Sequence, residues 1–258
     1  MLVLAIDTST PVITVGVVNL KRPHEIAAEL ERAGHITDQV NQTGEFAFLP
    51  QSDVYAVLAE KVRTDAFGHV EHLMPMVTDT LAETGHVVGD LEAVVVGIGP
   101  GPFTGLRVGM VTAAALGDAL NIPVHGAPSH DAVARQSCWA GDFLVVTDAR
   151  RKEVYVTAYA ESAVAVHGPV ALAPAAVLGW CAENGFTPEW IAGAGAHLAA
   201  EATGLDVRKV TAPLSESLVA CATGALLTGA IPGPLTPLYL RRPDATEPHA
   251  PKPALPKS

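Results

Sequence analysis

Apolar residues fall into short uninterrupted runs at the start of the chain and into helical spacing further on. Leu2–Ile6 is an apolar run closed by the polar stretch Asp7-Thr8-Ser9-Thr10-Pro11, and Ile13–Val18 is a second run. Two such runs around a polar turn predict a strand hairpin. From Val70 the spacing changes, since Val70, Leu73, Met74, Val77 and Leu81 share one helical face. Pro75 suits that helix only in its first turn, where a missing N–H breaks no hydrogen bond. Thr84-Gly85 supplies the stop. Leu91–Ile98 is Val-rich and apolar, as a central strand covered on both faces requires. The Gly/Pro-rich loop Gly99–Gly105 follows, then a predicted helix over Leu106–Leu120 and a return to the sheet at Asn121-Ile122-Pro123-Val124.

The second half repeats this grammar. Phe143–Thr147 reads as a strand ending at Asp148, Glu153–Tyr159 as another, and Pro174–Glu183 and Glu216–Leu227 as helices. Strand pairs alternating with helices predict an α/β or mixed α+β protein with two lobes. Lys21 to Asp65 carries less pattern: a turn signal at Asn41-Gln42-Thr43-Gly44 and a weak apolar rhythm over Tyr55–Val62. Pro243 to Ser258 is rich in Pro and polar residues and predicts a disordered tail.

Composition narrows the function classes. Of 258 residues, 49% are hydrophobic and 17% charged, which suits a packed globular chain. Lys and Arg total 16 against 27 Asp and Glu, a formal charge of −11. Such a surface repels phosphate backbones, so nucleic acid is expected only through a basic partner. Cys138, Cys181 and Cys221 lack CxxC spacing and read as small reduced thiols. No basic-flanked secretory segment and no span of about 20 apolar residues is present, which predicts a cytoplasmic protein without membrane contact.

The candidate chemistry is thin. The loop Gly99-Pro100-Gly101-Pro102-Phe103-Thr104-Gly105 lies between strand and helix, where anions are often held. Pro100 and Pro102 remove N–H donors from it, and the spacing fits neither GxGxxG nor GxxxxGK[ST]. A plain turn capped by Thr104 explains the loop equally well. Gly105, Gly109, Ala113 and Gly117 recur every four residues and form a stripe almost bare of side chains. Each helical glycine costs about 1 kcal/mol against alanine, so another backbone must approach closely, either within the chain or from a partner. His69 and His72 lie three apart, but no HExxH pattern completes a metal site. No nucleophile elbow appears.

Four segments, in this order and spacing, resemble the TsaB family, formerly YeaZ. They are Leu4–Thr10, His72-Leu73-Met74-Pro75, the stretch Gly99–Gly109 and Asp148-Ala149-Arg150-Arg151-Lys152-Glu153-Val154-Tyr155; a fifth is Pro237-Leu238-Tyr239-Leu240-Arg241. The resemblance implies the two-lobed actin-like fold of Hsp70 and sugar kinases (ASKHA). It implies a non-catalytic subunit of the machinery that forms N6-threonylcarbamoyladenosine at position 37 of tRNA. Its expected partners are the catalytic paralogue TsaD, the ATPase TsaE, a second copy when alone, and tRNA only through the complex. Nucleotide-binding members of the fold carry Asp-x-Gly-Ser/Thr in the first hairpin; here Ser9 replaces that glycine, which narrows any approach to phosphate. Pro102 stands where the family usually has Ser, and the segment 22–65 is longer than the family leads one to expect.

On this reading Asp7, Thr8, Ser9, Gly99, Gly101 and Thr104 form a degenerate nucleotide loop. His72, Leu73, Met76, Gly105, Val108, Gly109, Thr112, Ala113 and Gly117 form the partner interface. No catalytic or metal residue is assigned, no cofactor is given to the chain alone, and ATP or ADP is left to the junction with the partner. The expected lobes are 1–108, with an insertion at about 22–65, and 109–243, whose last helix is free to pack on the first; 244–258 is the tail. The alternatives are an active ATPase or phosphotransferase with a base near Asp7 or Asp148, and, ranked below it, a metal-dependent hydrolase using His69 and His72.

Overall fold

The first apolar run forms β1 (Leu2–Asp7), and all of it is buried because both its edges and both its faces are covered. The computed structural model describes residues 1–22, 24–26, 54–65, 68–136 and 140–241. The expected Asn41–Gly44 turn, Cys138, the tail and most of the 22–65 segment lie outside the described residues. β2 (Val12–Leu20) pairs antiparallel with β1, and β4 (Ala93–Gly97) pairs parallel on its other edge. β3 (Tyr55–Thr64) and β5 (Val124–Ala127) complete a five-stranded sheet in the order β3-β2-β1-β4-β5. Helices α1 (His69–Glu83) and α2 (Phe103–Leu120) cover one face, with Leu73, Val77, Leu81, Leu106 and Met110 in its core.

A second sheet has the same plan. β6 (Phe143–Arg150), β7 (Glu153–Tyr159), β8 (Ala165–Leu172), β9 (Trp190–Ala192) and β10 (Asp206–Val207) run in the order β10-β9-β6-β7-β8. Each half therefore reads three antiparallel strands, helix, strand, helix, strand, helix. The helices are α3 (Ser129–Arg135) at the end of the first half, and α4 (Val177–Glu183), α5 (Ala196–Thr203) and α6 (Ser215–Thr228) in the second. α6 crosses back, placing Leu218, Val219, Ala222 and Leu226 in the core beneath the first sheet. The aromatic stack Phe143–Trp190, 4.0 Å between centroids, fills the inner face of the second sheet.

Several expectations need correction. Tyr55–Thr64 is no part of an insertion; it pairs along β2 from Val12 opposite Thr64 to Leu20 opposite Tyr55. A boundary after residue 108 would cut α2, and the first sheet continues to Ala127. Pro75 sits beyond the first turn of α1, on its exposed side, where water can serve the carbonyl that the missing N–H leaves free. Thr104 is inside α2, which starts at Phe103 without any side-chain cap.

Candidate functional site

The turn after β1 is held from three sides. Asp7 is fully buried; its Oδ1 accepts the Ser9 N–H (2.9 Å) and the Ser9 hydroxyl (2.8 Å), and its Oδ2 accepts the Ser129 hydroxyl at 2.5 Å. Burial pushes its carboxyl above the usual carboxylate range, against the pull of those bonds. Gly97 makes room for it, since a Cβ there would lie 2.7 Å from the Ser129 hydroxyl and 2.8 Å from the Asp7 carboxyl carbon. The Gly/Pro loop lies directly on the same turn. A Cβ at Gly101 would stand 2.8 Å from the Ser9 carbonyl carbon.

Thr8 explains the first half of the bare stripe. Its hydroxyl donates to the Gly105 carbonyl (2.8 Å) and accepts the Gly109 N–H (3.0 Å), bridging two backbone groups one helical turn apart. A Cβ at Gly105 would be 2.7 Å from the Thr8 carbonyl oxygen. Further along, Ala113 is fully buried, and a Cβ at Gly117 would be 3.2 Å from the Ile122 carbonyl. The stripe thus meets its own chain. Gly109, Ala113 and Gly117 are buried against it, Gly105 is half-buried, and Leu73 and Met76 lie in the first core.

What the helix pair does turn outward is different. Val70 is 70% exposed and Val111 66%, Met74 is exposed, and Val108 and Thr112 are half-buried beside them. His72 bonds Asp65 through Nε2 (3.1 Å), while His69 donates from Nε2 to the Thr10 carbonyl (2.9 Å). The two rings serve separate partners.

The second lobe repeats the turn with other chemistry. Asp148, six residues into β6 as Asp7 is into β1, accepts the Arg150 N–H at 2.7 Å and faces the Arg150 guanidinium at 3.5 Å. Arg150, Arg151 and Lys152 are all left-handed, with φ of 63°, 53° and 65°. Between the two turns, Ser9, Thr10, Pro102, Asp148 and Arg150 line a small pocket, and the adjoining cavity of about 390 Å³ is lined by Thr8, Thr10, Pro102, Thr104, Gly105 and Arg150. At the first turn the Ser9 N–H is already taken by Asp7, and the Gly101 backbone packs against the Ser9 carbonyl.

Sequence patterns missed the pins between the lobes. His130, on the unpredicted helix α3, is buried between Thr157 (2.8 Å) and Thr147 (2.9 Å), and desolvation lowers its pKa to about 3. Tyr159 donates to Asp131 at 2.6 Å. The Pro237–Arg241 motif is a strap. The Leu238 N–H reaches the Ile98 carbonyl, Tyr239 accepts from Arg107 Nε (2.8 Å) and packs on Phe103, and Arg241 pairs with Glu153.

The model of one protein family, described as tRNA N6-adenosine threonylcarbamoyltransferase (TsaD), matches residues 57–222. The chain is 42% identical to an uncharacterized protein of Mycobacterium tuberculosis over 94% of this chain and 93% of the other. It is 36% identical to the tRNA threonylcarbamoyladenosine biosynthesis protein TsaB of Escherichia coli, over 35% of this chain and 41% of that one. The solved structure of YeaZ from Pseudomonas aeruginosa superposes with a TM-score of 0.64 at 21% identity, covering 92% of this chain and all of the other. The chain belongs to the TsaD/TsaB (YeaZ) family. Its paired five-stranded lobes have the fold of YeaZ. Within this frame the Gly101 loop packs on the first turn, and Val70, Met74 and Val111 are exposed on α1 and α2. Among the described residues, no helix is long and apolar enough to cross a membrane.

Proposed function

We propose that the chain is the partner subunit that TsaD requires to form N6-threonylcarbamoyladenosine at position 37 of tRNA, and that it carries no chemistry of its own. The observation behind this reading is the first turn, where the Gly101 loop rests on Ser9 and the Ser9 N–H is already taken by Asp7. A lobed enzyme of this fold needs the N–H groups of that turn for its phosphates. The surface left for function is the α1/α2 face with Val70, Met74 and Val111, to which TsaD docks; alone, the same face pairs with a second copy. TsaE joins the assembled complex, tRNA is met only through it, ATP or ADP belongs to the junction with the partner, and the place of action is the cytoplasm.

Reconstitution of the tRNA modification with cognate TsaD and TsaE, with and without this chain, tests the reading directly. Val111→Asp combined with Val70→Asp is expected to abolish co-purification with TsaD while the melting temperature stays within about 2 °C, because both side chains are exposed. Normal co-purification would remove the helix face from the reading. Turnover of Mg–ATP by the chain alone would overturn its non-catalytic assignment.

A further inference from the structure

Between the first turn with its Gly/Pro loop and Arg150 of the second lobe lies a cavity of about 390 Å³, opening at the edge of the α1/α2 face. Val70 and Val108 belong to both, so a partner laid on that face covers the cavity's mouth. Thr104 and Thr10 add hydroxyl-bearing walls, and Arg150 brings a guanidinium from the other lobe. None of the described residues lining it is acidic. Asp148, the acid beside Arg150, already accepts the backbone N–H of that residue, and its second oxygen stands 3.5 Å from the guanidinium. A guanidinium has five N–H donors, and this side chain is 53% exposed.

Arg150 already pairs with Asp148 at 3.5 Å, so what a covering partner must match is the guanidinium's remaining N–H donors, and stripping them of water without a new acceptor costs on the order of 1–3 kcal/mol. The formal charge of −11 disfavours a polyanion at this place, whereas a single carboxylate adds only one charge. We propose that the cavity receives an aspartate or glutamate side chain of the TsaD-type partner, paired with Arg150, while Val70 and Val108 pack around its stem. This rests on the partner-subunit reading above. Arg150 is then the residue that fixes the register of docking, and the apolar helix face supplies the contact area.

The test is calorimetric titration of the full chain with purified cognate TsaD at low and high salt. Arg150→Asn removes the cation and keeps a residue that tolerates the left-handed backbone. It is expected to weaken binding on the order of 30-fold and to flatten the salt dependence. Arg150→Lys, which keeps the charge and loses the fork, is expected to retain part of the affinity, a split that a disturbed turn would not produce. Affinity of Arg150→Asn within threefold of the parent overturns the inference. If Val111→Asp still abolishes binding in that case, the partner reading survives and only the pocket assignment falls; if the parent chain does not bind TsaD, both fall. Inorganic phosphate and ATP are titrated into the chain alone. Binding that Arg150→Asn removes would mark a small-anion site and likewise overturn the proposal.

Discussion

The turns that end β1 and β6 occupy the same place in two copies of one topology, yet their environments are opposite. Asp7 is buried among hydroxyls and backbone, with Ser9 and Ser129 as its partners and the Gly101 loop pressed on the turn. Asp148 is partly exposed and anchors a left-handed cationic tip, Arg150-Arg151-Lys152. The first turn has become packing; the second remains a surface. A repeated fold thus allows one copy of a turn to be packed in while the other keeps charged groups at the surface, because the sheet alone fixes where each turn stands.

Gly97→Ala should have the largest effect. The new methyl would overlap the Asp7 carboxylate, and neither β4 nor β1 can shift inside a sheet buried on both faces. A loss of about 3 kcal/mol or more is expected in urea unfolding; a loss under about 1 kcal/mol would break the description of the first turn as locked. The two aspartates sharpen the contrast. Asp7→Ala leaves the Ser9 N–H and the Ser129 hydroxyl proton without their acceptor in the interior, although the Ser129 oxygen still accepts the Gly99 N–H, a cost of about 2–3 kcal/mol. Asp148→Ala loses bonds at the surface and should cost about 1 kcal/mol or less. Equal losses would mean that the turns are equivalent after all.

Those contrasts could not be read from sequence, for a physical reason. Strand and helix periods report burial along one element, so β1, β4, α1, β7 and α6 were legible within a few residues. Close approach between distant segments leaves only an ambiguous trace. The stripe Gly105, Gly109, Ala113, Gly117 announces that something comes near, but nothing local says that it is Thr8, about a hundred residues earlier. β3 is an edge strand with exposed Val57, Leu58 and Val62, so the alternation that marks a half-buried strand is blurred. α3 is only two turns long and is held by His130, whose partners Thr147 and Thr157 lie in the other lobe. Asp7 and Ser9 stood out as an altered phosphate motif, but nothing local says that the Ser9 N–H bonds Asp7 or that the Gly101 loop packs on the Ser9 carbonyl.

The pins between the lobes should show in pH dependence, at a smaller scale. His130 is neutral in the fold, with its pKa lowered from 6.5 to about 3 by burial. Between those values the unfolded chain binds a proton that the folded chain does not. Stability therefore falls on acidification through that window, with a slope approaching about 1.4 kcal/mol per pH unit. Asp7 acts oppositely, because its raised carboxyl pKa makes the folded state bind more protons above 3.8, and that contribution is lost as pH rises. Guanidinium unfolding of His130→Gln at pH 6.5 and 5.5 should show the parent's slope reduced by roughly that amount. An unchanged slope would mean that the imidazole is not the group that titrates.

The smallest expected effect has a sign that decides between two descriptions of α2. If Thr104 capped the helix, Thr104→Ala would destabilise by about 1 kcal/mol. In the fold, α2 begins at Phe103 after Pro102, and its counterpart α5 begins at Ala196 after Gly195; neither has a side-chain cap. Thr104 is an exposed residue of the first turn, where alanine is the better helix former. Thr104→Ala is therefore expected to leave stability unchanged or raise it by up to about 0.5 kcal/mol, measured by thermal melting. A clear loss would show that the hydroxyl satisfies a helix N–H in solution, and that the two lobes begin their second helices differently.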